Sequence, residues 1–207
     1  GSPITKKFRV VCQACNNTWM SRLEQTVAPL LTPLIKGSRL SILPEGLILL
    51  AQWISLKIMV SEHAYDDVVF TSAQRTALRT RRAIPEGLII RIGITSENVE
   101  PVMYFRQAAN ATAPDEPEPD GRTKNTSLTS FSIGRLFILG FYSDRPRFTF
   151  SSDPTRYREL WPGDQNPIEW HPPTQLSHEN VREAVSMLNR FILSPKARWR
   201  PGSGFNY

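Results

Sequence analysis

The stretch PEGLILLAQWISLKIMV, Pro44 to Val60, decides how the rest of the chain must be arranged. Leu47, Leu50, Ala51, Ile54 and Ile58 recur at helical spacing, and Ile48, Trp53, Leu56, Met59 and Val60 fill most of the remaining circumference. Pro44 suits the first turn of a helix, where its missing N–H would have no partner anyway. A helix that is apolar nearly all round belongs at the centre of a core. The apolar run Leu47 to Val60 is short for a membrane span and carries Gln52 and Lys57 inside it.

On the N-terminal side, KKFRVV (Lys6 to Val11) reads as a strand leading into a turn that holds Cys12 and Cys15. Asn16 or Asn17 can cap a helix there, because an Asn side chain accepts bonds from free N–H groups of the first turn. Trp19, Met20, Leu23 and Val27 follow at helical spacing. Pro29 is expected to end or kink that helix, or to open the next. Leu30, Leu31, Leu34 and Ile35 extend the pattern to Gly37, and RLSIL (Arg39 to Leu43) is a short extended piece.

Past the central helix, Thr71 or Ser72 caps SAQRTALRTRR, which ends before Pro85. The texture then turns from helical to β. LIIRIGIT (Leu88 to Thr95) and PVMYFRQA (Pro101 to Ala108) are rich in β-formers, with SEN between them as a turn. SLTSFSIGRLFILGFYS (Ser127 to Ser143) is a third such stretch, broken or bulged at Gly134. Between the second and third lies ATAPDEPEPDGRTKN (Ala111 to Asn125), acidic, Pro-rich and without a large apolar side chain, which reads as a flexible loop. The Trp residues of LWPGD and IEWHPP read as plugs holding irregular segments onto the sheet. A closing helix is expected from Ser177 to Leu193, with Val181, Ala184, Val185, Leu188 and Ile192 inward. The fold class is therefore α+β: a helical N-terminal half packed on an antiparallel sheet from the C-terminal half, with a C-terminal helix. Residues 1–28 form a knuckle-like segment with its helix, and residues 29–207 a single α+β body.

At 207 residues and 40% apolar, the chain supports one substantial core. Two cysteines exclude a disulfide scaffold, and no secretory leader is evident, which reads as a cytoplasmic protein with no membrane partner. Gly1-Ser2 reads as the remnant of a cleaved tag, which places the natural start further upstream. The net charge of +6, mostly from Arg, favours anionic partners. No Gly-rich phosphate loop, G-x-S-x-G or His-rich metal motif appears, and Asp66-Asp67 has no partner that would define a reaction.

Cys12 and Cys15 have the spacing of one half of a zinc site, whose closed form takes four ligands. The three histidines, His63, His171 and His178, show no paired spacing and read more simply as turn, cap or helix-end residues. Redox chemistry of the thioredoxin type expects a βαβ setting, which the chain lacks.

VCQACNNTWMSRLE resembles the second half of the treble-clef core in a group of HNH-endonuclease-like proteins, whose pattern is approximately V-C-x-x-C-N-x-x-W-M-S-x-L-E. The likeness runs on more weakly through LAQWISLK, FSIGRL and LWP…WHPP. The resemblance implies that Cys12 and Cys15 match the second zinc knuckle, and that Asn16 matches the first position of the metal-facing helix. In that family an upstream C-x-x-C and a histidine-bearing segment complete the zinc site and supply the general base, and this sequence does not contain them. Phosphodiester hydrolysis needs a bound cation and a base for water. A single neutral amide from Asn16 would not hold a catalytic Mg²⁺ ion that prefers octahedral oxygen coordination. The expectation is a chain inert as a nuclease, with zinc bound through Cys12 and Cys15 only in an incomplete site, and a divalent cation only if the upstream half is present.

Two basic segments point to a nucleic-acid partner, DNA in preference to RNA. Arg75, Arg79 and Arg82 share roughly one face of a short helix, although a solvated helix face is the simpler account. Arg198, Trp199 and Arg200 alternate charge with an aromatic ring near the C-terminus. The competing expectation is a protein-interaction or inhibitory module with a decayed metal site, whose acidic loop contacts a basic partner protein.

Overall fold

The computed structural model describes residues 11–65, 67–97, 99, 104–111, 124–145, 153–163, 166–170 and 174–192, with the side chains of 187–192 left out. Expectations about the strand before Val11, the interior of the Ala111–Asn125 loop, His171, Asp66 and the Arg198, Trp199 and Arg200 segment fall outside those residues. The fold is α+β, with α1 (Gln13–Cys15), a π-helical stretch (Asn16–Met20), α2 (Ser21–Ile35), β1 (Leu40–Ile42), α3 (Pro44–Ser61), a 3₁₀ turn (Glu62–Ala64) and α4 (Ser72–Arg81) in the first half. Then come β2 (Leu88–Ile94), β3 (Phe105–Ala109), β4 (Thr126–Ile133), β5 (Leu136–Ser143), β6 (Arg158–Trp161), β7 (Ile168–Trp170) and α5 (His178–Ile192).

Five strands form one antiparallel sheet in the order β3-β4-β5-β2-β6, while β1 and β7 make a small antiparallel pair. Alternation along the central strands sends side chains to two different layers. Leu136, Ile138 and Tyr142 of β5, with Leu88, Ile90, Ile92 and Ile94 of β2, join the cluster that contains α2 and α3. Phe137, Leu139 and Phe141 point the other way, into a second cluster with Leu176, Val181 and Ala184 at the start of α5. Both faces of β5 are therefore buried along its whole length. The expected helical half, antiparallel sheet and C-terminal helix are all present, with α5 covering the face opposite α3.

The central helix is buried nearly all round, from Leu47 to Met59. Pro44–Ala64 is also long and apolar enough to cross a membrane, but 56% of its most apolar 18-residue window is buried inside the fold. The helix approaches the sheet closely at Gly140, where an added Cβ would overlap Cδ1 of Ile58. Trp170 is buried in the same cluster, so this Trp plugs the core as its Pro-rich setting suggests.

Three local expectations are corrected. The first helix is capped by Cys12, whose Sγ accepts the Cys15 N–H at 3.3 Å, and Asn16 and Asn17 lie inside the helical run. That helix also continues through Pro29 and Pro33 to Ile35. The burial of Val27, Leu31 and Leu34 outweighs the hydrogen bonds lost at the two prolines. Thirdly, β2 and β3 are not neighbours: β4 and β5 intervene between them. The chain does turn at SEN, with Ser96 O accepting the Val99 N–H at 3.2 Å, but the turn does not join two paired strands. Of the two readings at Gly134, break or bulge, the break holds, and Ser127 to Ser143 carries two strands. Gly134, at φ +54°, and Arg135 make the two-residue turn between Ile133 and Leu136, a setting that favours glycine at the first central position.

Two ties hold the layers in register. Arg135 donates its backbone N–H to Ile35 O at 2.9 Å, joining the β4–β5 turn to the end of α2. Asn125 closes the long loop at its base, bonding the N–H and the carbonyl of Ala111 at 2.8 and 2.9 Å.

The Gly140 contact yields a test by urea denaturation. Gly140→Ala should cost about 1–3 kcal/mol through overpacking. Ile58→Val, which removes the obstructing Cδ1, should cost about 0.5–1.5 kcal/mol alone. Combined, the two should cost clearly less than their sum, and simple additivity would refute the contact.

Candidate functional site

Glu62 follows α3 directly and has no solvent exposure. A buried carboxylate must be hydrogen-bonded and paired to be tolerated. Its Oε2 accepts the N–H of Val69 at 2.9 Å and lies 3.5 Å from Arg106 Nη2, while Oε1 accepts from Arg75 Nη1 at 3.0 Å. Arg75 also donates to the Phe70 carbonyl. Burial raises the Glu62 carboxyl above the ordinary range, opposed by the N–H groups of Val69 and Phe70 and by the two guanidinium groups. Around this cluster Arg106 lies over the Tyr65 ring at 5.5 Å, and the Tyr104 hydroxyl meets Ser61 Oγ. Burial pushes Tyr104 up to about 12, so it remains a neutral phenol.

The cluster fixes the position of α4. Thr71 Oγ1 accepts the Gln74 N–H and Gln74 Oε1 accepts the Thr71 N–H, a reciprocal cap that the sequence T-S-A-Q signals. Gln74 Nε2 then reaches the Tyr142 hydroxyl at 2.8 Å, anchoring the cap to β5. Leu78 is buried beneath the helix. The result is a cleft of about 190 Å³ between the cysteine turn, the end of α3 and the outer face of α4. Met20, Leu56 and Met59 line its depth, Trp19, Val60 and Cys15 are half-buried in its walls, and Thr76 and Arg79 are exposed at its rim. Among the described residues, no Asp or Glu lines it.

The sequence-nominated residues divide clearly. Cys15 lines the cleft and Cys12 is exposed beside it. The Cys15 side chain and N–H, with Arg79 as a weaker contributor, hold the Cys12 thiol below its usual range. Asn16 is exposed. Arg79 faces the cleft, and Arg82 sits just past α4 with its guanidinium 4.9 Å from the Trp19 ring. Arg82 occupies the left-handed region at φ 57°, held by Gln52 Nε2 donating to its carbonyl at 3.0 Å. Arg75 lines the cleft as well, but its charge is engaged by Glu62. The expected face of three equivalent arginines is therefore reduced, because the i, i+4 spacing says nothing about which guanidinium meets a buried carboxylate. His63 also lines the cleft, its imidazole held below the usual range by burial and by Arg75. His178 opens α5, far along the chain in the second cluster's helix.

Sequence reading missed the Glu62 cluster and the role of Trp19. One signal for Glu62 was available: a lone carboxylate at the end of a continuously apolar helix has few places to go but inward. A closed zinc site needs four ligands. Cys12 and Cys15 offer two, and among the described residues no group of three or more His, Cys, Asp or Glu side chains is placed to hold a metal ion. The described residues do not by themselves fit such a site.

No family model matches this chain, and neither the curated proteins nor the solved structures give a match.

Arg75 and Arg79 should separate cleanly by denaturation. Arg75→Ala leaves the buried Glu62 with Arg106 as its remaining charge partner and should cost about 2–3 kcal/mol. Arg79→Ala, at an exposed rim position, should stay within about 0.5 kcal/mol of the parent. Equal losses would contradict the division between them.

Proposed function

We propose that this chain is the nucleic-acid-binding body of an HNH-endonuclease-like protein, acting in the cytoplasm on DNA in preference to RNA and inert as a nuclease by itself. The observation that carries the reading is the juxtaposition of two segments far apart in sequence. The C-x-x-C-N-x-x-W segment, which bears the resemblance, lies against the Arg-rich helix α4. Together they make one basic surface around a cleft that no carboxylate lines.

The chemistry available there is binding rather than hydrolysis. Arg79 and Arg81 are exposed, and a guanidinium fork suits phosphate oxygens. Arg82 is preorganised by its contact with Trp19, which lowers the cost of immobilising it on a polyanion. Arg75 supplies structure and little free charge. For cleavage, the reading requires the ligands and base of the family's upstream half, because Asn16 offers one neutral oxygen and His63 stands beside Arg75 with no carboxylate in the cleft to hold a cation. When a complete site binds zinc, the metal would brace the knuckle, and Cys12 and Cys15 would be two of its ligands.

The test is the salt dependence of binding to a short DNA duplex and to a single strand, read by fluorescence anisotropy. Affinity should fall linearly on a log–log plot as salt rises, and Arg79→Ala should reduce the slope by about one counterion. Absence of binding at low salt would overturn the proposal, as would affinity indifferent to salt. DNA cleavage by this chain that EDTA abolishes would overturn its non-catalytic half.

A further inference from the structure

We propose that the cleft between the cysteine turn and α4 receives one unstacked nucleobase, so that single-stranded or locally opened nucleic acid is the preferred form of the polymer. This rests on the nucleic-acid reading above and narrows it to a substrate class.

Size is the first argument. At about 190 Å³ the cleft is smaller than the roughly 300–1,000 Å³ of sites for drug-sized molecules, and suits a single planar ring system. Lining is the second. Met20, Leu56 and Met59 provide an apolar floor, and Trp19 an aromatic wall. Proteins that capture an extruded base commonly hold it between aromatic and apolar side chains. Arg82 packs on the Trp19 ring without lining the cleft, so the indole is fixed from outside.

The polar groups complete the match. His63 and Thr76 supply hydrogen-bonding groups along the lining. Arg79 stands at the rim, where the phosphate attached to an inserted nucleotide would emerge. The absence of carboxylates from the lining makes the charge complementary to a nucleotide and adverse to a cationic ligand.

A duplex keeps its bases stacked and paired, and extruding one costs several kcal/mol in general. A single strand presents them at little cost. Base contacts are therefore separable from backbone contacts by experiment. Anisotropy at one fixed salt concentration would compare an oligothymidine, a length-matched oligomer of abasic deoxyribose phosphates, and a hairpin duplex. Oligothymidine should bind roughly tenfold tighter than the abasic oligomer, the scale of stacking one base. Thr76→Trp, at an exposed rim position, should fill the mouth and bring oligothymidine down to the abasic level, with the far-UV circular dichroism of the variant matching the parent. Equal affinity for oligothymidine and the abasic oligomer, with both bound, would sink the base-pocket inference and leave the nucleic-acid reading standing. A tenfold preference that survives Thr76→Trp would place the base elsewhere and equally overturn it. No binding by any of the three at low salt would instead remove the nucleic-acid reading itself.

Discussion

A carboxylate sealed from water needs its hydrogen bonds and charge partners supplied by the fold, and Glu62 draws them from three separate parts of the chain, with Arg106 contributing charge and the others hydrogen bonds. The backbone at Val69 and Phe70, Arg75 on α4 and Arg106 on β3 all converge on it. Removing two or three charges from water is costly, so the arrangement persists only if every partner is in place at once. That requirement couples the end of the central helix to α4 and to the edge of the sheet. It is a constraint of position more than a source of stability.

The cleft exists because of that coupling. With α4 held by Arg75 and by the Thr71–Gln74 cap, its outer face stands opposite the cysteine turn. Arg75 is spent on the buried acid, and Arg79, one turn later, is left at the rim. The same helix thus serves as a structural clamp at its start and presents the exposed Arg79 and Arg81 at its end. Cys12 lies within the influence of Arg79, so the knuckle segment and the basic helix share one electrostatic environment.

Much of the architecture could be read from local pattern. The nearly all-apolar circumference of Pro44–Ser61 identified the central layer, the Thr71 cap and the periodicity after Ser177 marked helix starts, and Gly37 marked a helix end. Misreadings arose where two local rules competed. Pro29 signalled an end or kink, yet an amphipathic face with three deeply buried side chains carried the helix on through Pro29 and Pro33. At Gly134 the choice between bulge and hairpin turn depended on whether the flanking residues paired with each other, which is a non-local matter. The candidate site was legible only in its ingredients: Cys12, Cys15, Arg79 and Arg82 were named from spacing and composition, whereas Trp19, Thr76 and Glu62 gained their roles from neighbours dozens of residues away.

Sequence alone determined the longer periods: which long segments are helical, which are strands, and that one helix must be surrounded, whereas the short strands β6 and β7 lay in segments that read as irregular. Those follow from backbone geometry and side-chain burial within a window of a few residues. Strand order, the side of the sheet that α5 covers and the arginine that meets Glu62 were decided only in three dimensions. Pairing energy and desolvation act between groups brought together by the whole fold, and nothing in a local window encodes the distance between them.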